Sequence, residues 1–343
     1  MHGKIMAAEI REQPDAFRRI LTIGRPRIEE AAARIREFAP RFVILAARGT
    51  SDHAALYAKY LIETRLALPA GLASPSATTV YNARPDMRDV LYIAASQSGT
   101  SPDVVEAMTA AGECGAMTVA VTNTPESDLA RHAQIHLDIL AGPERAVAAT
   151  KTYTAELLSL YLLISFLASD DAPNLDALPD QAGNVLALED SIERIAARYR
   201  FADQMVLTAR GYNYPTAREG ALKLMETSYI VADGFSGADL LHGPMAMIRR
   251  GFPVIAIAPP GPGSNALRPV LQRLEEQLAD VWVIGDADVP GAAITLRLPI
   301  DVPEDLSPLL AIMPLQLFAL HLARLRGINP DQPDGLEKVT RTW

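Results

Sequence analysis

The sequence predicts an α/β protein built from two tandem open parallel-sheet domains with helices on both faces. Short apolar runs of buried-strand length alternate with helical patterns, the alternation recurs in a second copy, and hydroxyl- or glycine-rich turns follow the strand ends. At 343 residues the chain has room for about two domains of ~100–200 residues each.

Residues 5–39 are expected to be helical, with a break at Gly24-Arg25-Pro26 and a second helix over 28–38. Phe42-Val43-Ile44-Leu45-Ala46-Ala47 is the first expected strand, followed by the turn Arg48-Gly49-Thr50-Ser51-Asp52-His53 and a helix to Glu63. Residues 66–73 are read as a strand. Val90-Leu91-Tyr92-Ile93-Ala94-Ala95 is another, leading through Ser96-Gln97-Ser98-Gly99-Thr100-Ser101 into a helix opened by Pro102. Strands over 117–122 and 135–139 and a long helix over 150–167 complete the first copy. Residues 169–180, with their Asp, Pro and Asn, form the expected linker, and a helix over 184–198 follows.

Met205-Val206-Leu207-Thr208-Ala209-Arg210-Gly211 then repeats the pattern of Phe42 to Gly49, and Val254-Ile255-Ala256-Ile257-Ala258 repeats that of Val90 to Ala94. The resulting division is a helical segment over 1–40, a first domain over 41–175, a second over 188–326 and a tail over 327–343. Ligands are expected outside the carboxyl ends of the strands.

Composition narrows the function. A hydrophobic share of 49% with 21% charged residues is that of a soluble globular protein, and a net charge of −9 without a basic run disfavours nucleic acid. The single cysteine, Cys114, excludes a disulfide framework, and the six histidines lack ligand spacing, so no metal site is expected. The start of the chain lacks the apolar core of a signal peptide. The longest apolar stretches are 157–168, too short to span a bilayer, and 309–320, interrupted by Pro314 and Gln316. No membrane partner and a cytoplasmic location are therefore expected.

The turn from Ser96 to Ser101 has the chemistry of an anion site. Helix-terminal N–H groups lack intrahelical partners, the helix dipole is positive there, and Ser96, Ser98, Thr100 and Ser101 crowd the position with hydroxyls. Gly99 permits close approach of the backbone to a ligand. The absence of Lys and Arg disfavours a triphosphate loop and leaves a single phosphate monoester, with helix capping as the plain alternative. In the second copy the equivalent turn reads Pro259-Pro260-Gly261-Pro262-Gly263, where prolines cannot donate. Only the first copy is therefore expected to hold phosphate.

The second copy offers other groups. Glu219, Lys223 and Glu226 share one helix face at i, i+4 and i+7, which suits either a solvated salt-bridging face or proton transfer next to a carbonyl. His242, on a Gly-Pro turn, is either structural or an exposed acid–base group. Lys338, taken alone, is a solvated terminal lysine.

Together these segments resemble the sugar isomerase (SIS) family, whose flavodoxin-like domains occur in tandem in the isomerase half of glucosamine-6-phosphate synthase and its shorter relatives. The matching segments are Glu9-Ile10-Arg11-Glu12-Gln13-Pro14, Gly49-Thr50-Ser51, Ser96-Gln97-Ser98-Gly99, Val147-Ala148-Ala149-Thr150-Lys151-Thr152, Glu219-Gly220-Ala221-Leu222-Lys223-Leu224, His242-Gly243-Pro244 and the Lys338 tail, in family order. The resemblance implies phosphate binding by Thr50, Ser51, Ser96, Gln97, Ser98 and Ser101, with Gly49, Val147 and Ala148 touching substrate. It implies that Glu226 moves the proton between C1 and C2 with Glu219 and Lys223 nearby. It further implies that His242 opens the sugar ring from the neighbouring subunit of a homodimer with shared active sites, and that Lys338 meets the open-chain sugar.

The chain departs from the synthase. It begins Met1-His2-Gly3 without the glutaminase domain, so glutamine-derived ammonia is not expected, and Arg48 and Asp239 replace a Cys and a Glu. Arg48, Asp52-His53 and the ending resemble instead the stand-alone glucosamine-6-phosphate deaminases of this fold. The implied reaction is glucosamine 6-phosphate plus water to fructose 6-phosphate plus ammonia, without cofactor or metal. Alternatives are a deaminase or deglycase on another amine-bearing sugar 6-phosphate, an aldose–ketose isomerase, and a non-catalytic sugar-phosphate sensor. The tail, with Leu336, Val339 and Trp343 as apolar anchors, is expected to fold over the cleft and bring Lys338 to the sugar.

Overall fold

In the computed structural model, which describes residues 2–169, 174–285 and 291–338, the apolar runs become strands and the periodic segments become helices. Helices α1 (Lys4–Arg11), α2 (Gln13–Arg19) and α3 (Arg25–Phe38) lead into strand β1 (Phe42–Ala46) and helix α4 (Thr50–Leu61). Strand β2 (Ala70–Leu72), α5 (Pro75–Thr79), β3 (Val90–Ala95), α6 (Pro102–Glu113), β4 (Met117–Thr122), α7 (Asp128–His132), β5 (Ile135–Asp138) and α8 (Lys151–Ala168) follow. Helices α9 (Leu178–Leu186) and α10 (Glu189–Tyr199) precede β6 (Gln204–Ala209), α11 (Tyr214–Ser228), β7 (Val231–Ser236) and α12 (Gly237–Leu241). The remainder is β8 (Pro253–Ala258), α13 (Pro262–Glu276), β9 (Asp280–Gly285), β10 (Ile294–Leu296) and α14 (Pro308–Leu325).

The chain divides into two compact units. One comprises Glu12–Glu144, Lys151–Pro179 and the tail from Glu337; the other comprises Met1–Arg11, Arg145–Thr150 and Asp180–Leu336. The first holds a five-stranded parallel sheet in the order β2-β1-β3-β4-β5. The second holds another, in the order β7-β6-β8-β9-β10 when read in the matching direction. With β6 taken as β1 and β7 as β2, the two orders coincide. This is the two-copy α/β architecture that the sequence predicts, with helices on both sides of each sheet.

Both central strands, β3 and β8, run through the middle of their sheets and are apolar on both faces, as parallel strands covered by helices must be. In the first unit Val90, Tyr92 and Ala94 meet Val104, Met108 and Ala111 of α6. In the second, Val254, Ala256 and Ala258 meet Leu267, Val270 and Leu274 of α13. Helix α11 lies where a side chain on either of two glycines would collide. A Cβ at Gly220 would come 2.6 Å from Leu315 of α14 and 2.7 Å from Leu207 of β6, and one at Gly234 of β7 would come 2.6 Å from the Arg218 backbone.

Several local expectations change. Gly24 does not break the amino-terminal helix: Ile20–Gly24 forms a π turn with Gly24 at helical φ −75°, and Pro26 sits in the first turn of α3, where no N–H is needed. The expected strand over 66–73 shortens to Ala70–Leu72, because a π turn over Ile62–Leu66 prolongs α4 and Ala67 ends it in the left-handed region. The helix expected over 184–198 divides into α9 and α10 at Leu188. Pro314 does not interrupt α14, which has the length and hydropathy of a membrane span but is 89% buried, as a core helix. Of the expected linker, residues 170–173 lie outside the described residues.

Candidate functional site

The residues singled out by the sequence fall into two groups, one in each unit. In the first unit the serine turn follows β3 and opens α6. Ser96 turns its hydroxyl onto the Gly99 N–H at 3.1 Å, and Ser98 Oγ accepts both the N–H and the hydroxyl of Thr100 at 3.3 and 3.0 Å. The Gln97 carbonyl accepts the Asn123 N–H, tying the turn to the end of β4. Ser101 occupies the N-cap position of α6, yet its side chain makes no capping bond, whereas Ser127 caps α7 by accepting the Ala130 N–H. The plain capping account therefore does not explain the Ser101 hydroxyl.

Asp103, in the first turn of α6 and 2% exposed, would oppose an anion at the serine turn. Arg48 Nε donates to its Oδ2 at 2.7 Å and neutralises it. The Gly49-Thr50-Ser51 turn opens α4 at the end of β1, with Gly49 exposed and at φ 56° and Thr50 half-buried. Ser51 is buried, and its hydroxyl donates to Glu156 Oε1 at 2.8 Å. Ser51 thus reaches a carboxylate of α8.

Lys338 belongs to the same unit. Its Nζ lies 2.9 Å from Glu144 Oε2, and Glu144 also accepts the Thr152 N–H at 3.1 Å and the Thr152 hydroxyl at 2.7 Å. Leu336 is 43% exposed, so it does not serve as the expected apolar anchor, and Val339 and Trp343 lie outside the described residues.

In the second unit Glu219, Lys223 and Glu226 form one ion-paired triad on α11. Lys223 Nζ lies 3.2 Å from Glu219 Oε1 and 2.6 Å from Glu226 Oε2. The Lys223 and Glu219 side chains are 0% exposed and that of Glu226 is 21% exposed. The solvated-face reading fails here, because the face is buried. Burial opposes the Lys223 charge, but the two carboxylates outweigh it and raise its pKa above the usual lysine value. The ammonium is therefore fixed, Glu219 is its buried counter-ion, and Glu226 is the one member that reaches solvent.

His242 ends α12 with an exposed ring, on the turn before Gly243 at φ 129°. It makes no side-chain hydrogen bond or ion pair with the triad among the described residues. Val147 is half-buried with its N–H directed to the Asp331 carbonyl at 3.4 Å, and Ala148 is fully buried. The Glu9 carboxylate shapes that segment by accepting the Arg145 and Ala146 N–H groups.

Sequence reasoning passes over Glu144 and Glu156. Glu156 carries a readable signal, a lone acid in the apolar run of α8 that must find a donor when buried. Glu144 carries none, since its Gly-Pro surroundings resemble any exposed loop.

A family model described as the SIS domain matches residues 39–166 and 199–326. The chain is 36% identical over 346 residues to a glutamine–fructose-6-phosphate aminotransferase [isomerizing] of Methanothermobacter thermautotrophicus, covering 98% of this chain and 57% of that protein. It therefore spans about half the length of the curated relatives it matches. The solved C-terminal domain of glucosamine-fructose-6-phosphate aminotransferase from Francisella tularensis is similar, with a TM-score of 0.84 and 28% identity over 96% of this chain and 98% of that one. A glucosamine-6-phosphate deaminase from Thermotoga maritima shares the fold, with a TM-score of 0.78 at 22% identity over 99% of this chain and 100% of that one.

Proposed function

The chain belongs to the SIS-domain family, and from that premise we propose that it is a sugar-phosphate deaminase/isomerase converting glucosamine 6-phosphate and water into fructose 6-phosphate and ammonia. One observation carries this reading: a buried Glu219–Lys223–Glu226 triad in which Glu226 alone keeps solvent access. A buried ion-paired cluster is a poor device for stability, since its desolvation offsets most of its attraction, but it holds a carboxylate in a fixed position.

The roles divide between the repeats. The serine turn and the hydroxyl of Ser101 bind the phosphate, with Arg48 suppressing the charge of Asp103 beside it. His242 assists ring opening. Glu226 takes the C2 proton of the open-chain amino aldose, leaving an enolamine across C1 and C2. Return of that proton to C1, with a proton passing from the amine nitrogen to O1, yields a hydroxymethyl group there and an imine at C2. Water adds to C2, and the carbinolamine collapses to the ketone and expels ammonia. Lys338 takes part as the amine that attacks C2 or as the charge that polarises it, and Glu144 is placed to accept its proton in the first case. No cofactor is required by this sequence of steps. The protein acts in the cytoplasm, as a homodimer in which His242 serves the partner's site.

The activity for which the aminotransferase relatives are named supports a fructose 6-phosphate skeleton. The arrangement also supports a plain aldose–ketose isomerase, which needs the same C1/C2 proton transfer without loss of nitrogen. Measuring ammonia and ketose release from a panel of 6-phosphates, with glucosamine, galactosamine, a glycated amino acid and unaminated glucose as the variable part, separates the two. Ketose formed from glucose 6-phosphate with no ammonia from any amino sugar would remove the deaminase reading.

A further inference from the structure

The two sheets share one strand order, so the turn after β8 is the topological counterpart of the serine turn after β3. That second turn, Pro259 to Gly263, also opens a long helix, α13, whose first N–H groups and dipole favour negative charge. A negative group is already there. Glu304, from the loop before α14, accepts the Gly263 N–H on Oε1 at 2.7 Å.

The turn is shaped around this carboxylate. A Cβ at Gly261 would overlap the Glu304 carboxyl group, and one at Gly263 would overlap Glu304 Oε1 and come 2.8 Å from the Arg210 carbonyl. Both glycines are therefore needed for the carboxylate to lie against the backbone. Glu304 is itself held from behind: the Ser307 hydroxyl donates to its carbonyl at 2.6 Å, and Asn213 Nδ2 donates to Ser307 Oγ at 2.8 Å.

We propose that Glu304 is a built-in anion that fills the second repeat's phosphate position and so limits each chain to one phosphate, a specificity-determining role that rests on the serine turn being the first repeat's phosphate site. The prolines of the turn do not abolish the anion position, because Gly263 still donates; the carboxylate occupies it.

The test is equilibrium dialysis of the full chain against labelled inorganic phosphate, with folding checked by circular dichroism. Wild type should bind one equivalent, and Ser96→Ala/Ser98→Ala none. Adding Glu304→Ala should restore one equivalent, and a crystal structure of that variant with phosphate should show it on the Gly263 N–H. Glu304→Ser is the second variant should the alanine chain not fold. Glu304→Gln, which keeps the plug in shape, should gain nothing. A folded Glu304→Ala or Glu304→Ser chain that gains no phosphate overturns the proposal, as does a phosphate on Gly263 in the wild-type chain. If Ser96→Ala/Ser98→Ala still binds one equivalent, the serine-turn reading fails separately, and the equivalent gained on removing Glu304 still decides the role of Glu304.

Discussion

Lys338 Nζ lies 2.9 Å from the Glu144 carboxylate, whose side chain is fully buried and also receives two hydrogen bonds from Thr152. A lysine near the end of the chain is thereby tied to the start of α8 instead of lying free in solvent.

If Lys338 acts on the sugar, Lys338→Ala and deletion of residues 337–343 should each lower kcat by ~10²-fold or more, with much smaller changes in KM. This truncation spares Asp331, whose carboxylate accepts the Ile5 and Met6 N–H groups and anchors α1. Borohydride treatment with fructose 6-phosphate separates the two modes, since only a Schiff base leaves a sugar adduct on Lys338. Full activity in the truncated chain would end the assignment.

Lys223 should be a stability residue as well as a site residue. Lys223→Met leaves Glu219 buried without its counter-ion, and the expected loss is ~3–5 kcal/mol in urea denaturation. The sign of its pH dependence follows from the raised pKa. Its contribution is fully present below the unfolded lysine value of about 10.4 and is lost only as pH rises through the higher folded value. The difference in stability between wild type and Lys223→Met should accordingly not fall between about pH 6 and 9; a decline within that window would show the ammonium losing its proton.

Solvent access distinguishes the two carboxylates of the triad. Glu226→Gln should abolish both turnover and exchange of the substrate C2 proton with solvent, while inorganic phosphate still binds. Deuterium exchange monitored by proton NMR gives the answer directly. Undiminished exchange would transfer the role to Glu219.

The strands and the serine turn were legible because their signals are local: a short all-apolar run such as Val90 to Ala95, bounded by turn residues, has the length and composition of an interior parallel strand, and a hydroxyl cluster at its end is written in adjacent residues. Spacing also placed Glu219, Lys223 and Glu226 on one face. Whether that face is buried depends on what α14 and β6 present to it, which no local pattern records. The same limit hid Glu304, 41 positions from the Gly263 N–H it meets, and Glu144, 194 positions from Lys338. The misplaced break at Gly24 has another cause: Gly-x-Pro usually ends a helix, but a π turn absorbed the extra residue and carried the helical course through.

The exposed ring of His242 leads to a prediction about assembly. If the chain works as the proposed homodimer with His242 serving the partner's site, mixing inactive His242→Ala chains with inactive Glu226→Gln chains should restore activity after subunit exchange, because each hybrid dimer would contain one site with both groups intact. The expected ceiling is about a quarter of wild-type activity for random pairing of equal amounts, given that each hybrid has one working site and half of the dimers are hybrids. Absence of recovery despite demonstrated exchange would mean that each chain uses its own histidine.

The close seating of α11 on Leu315, Leu207 and the Gly234 backbone has a mechanical consequence. At these two points a glycine stands where any side chain would collide, so the backbone of α11 lies directly against the Leu315 and Leu207 side chains and the Gly234 backbone. A methyl group added at position 220 would overlap Leu315 and Leu207, so the seating of the helix that carries the triad depends on a residue that bears no functional group itself.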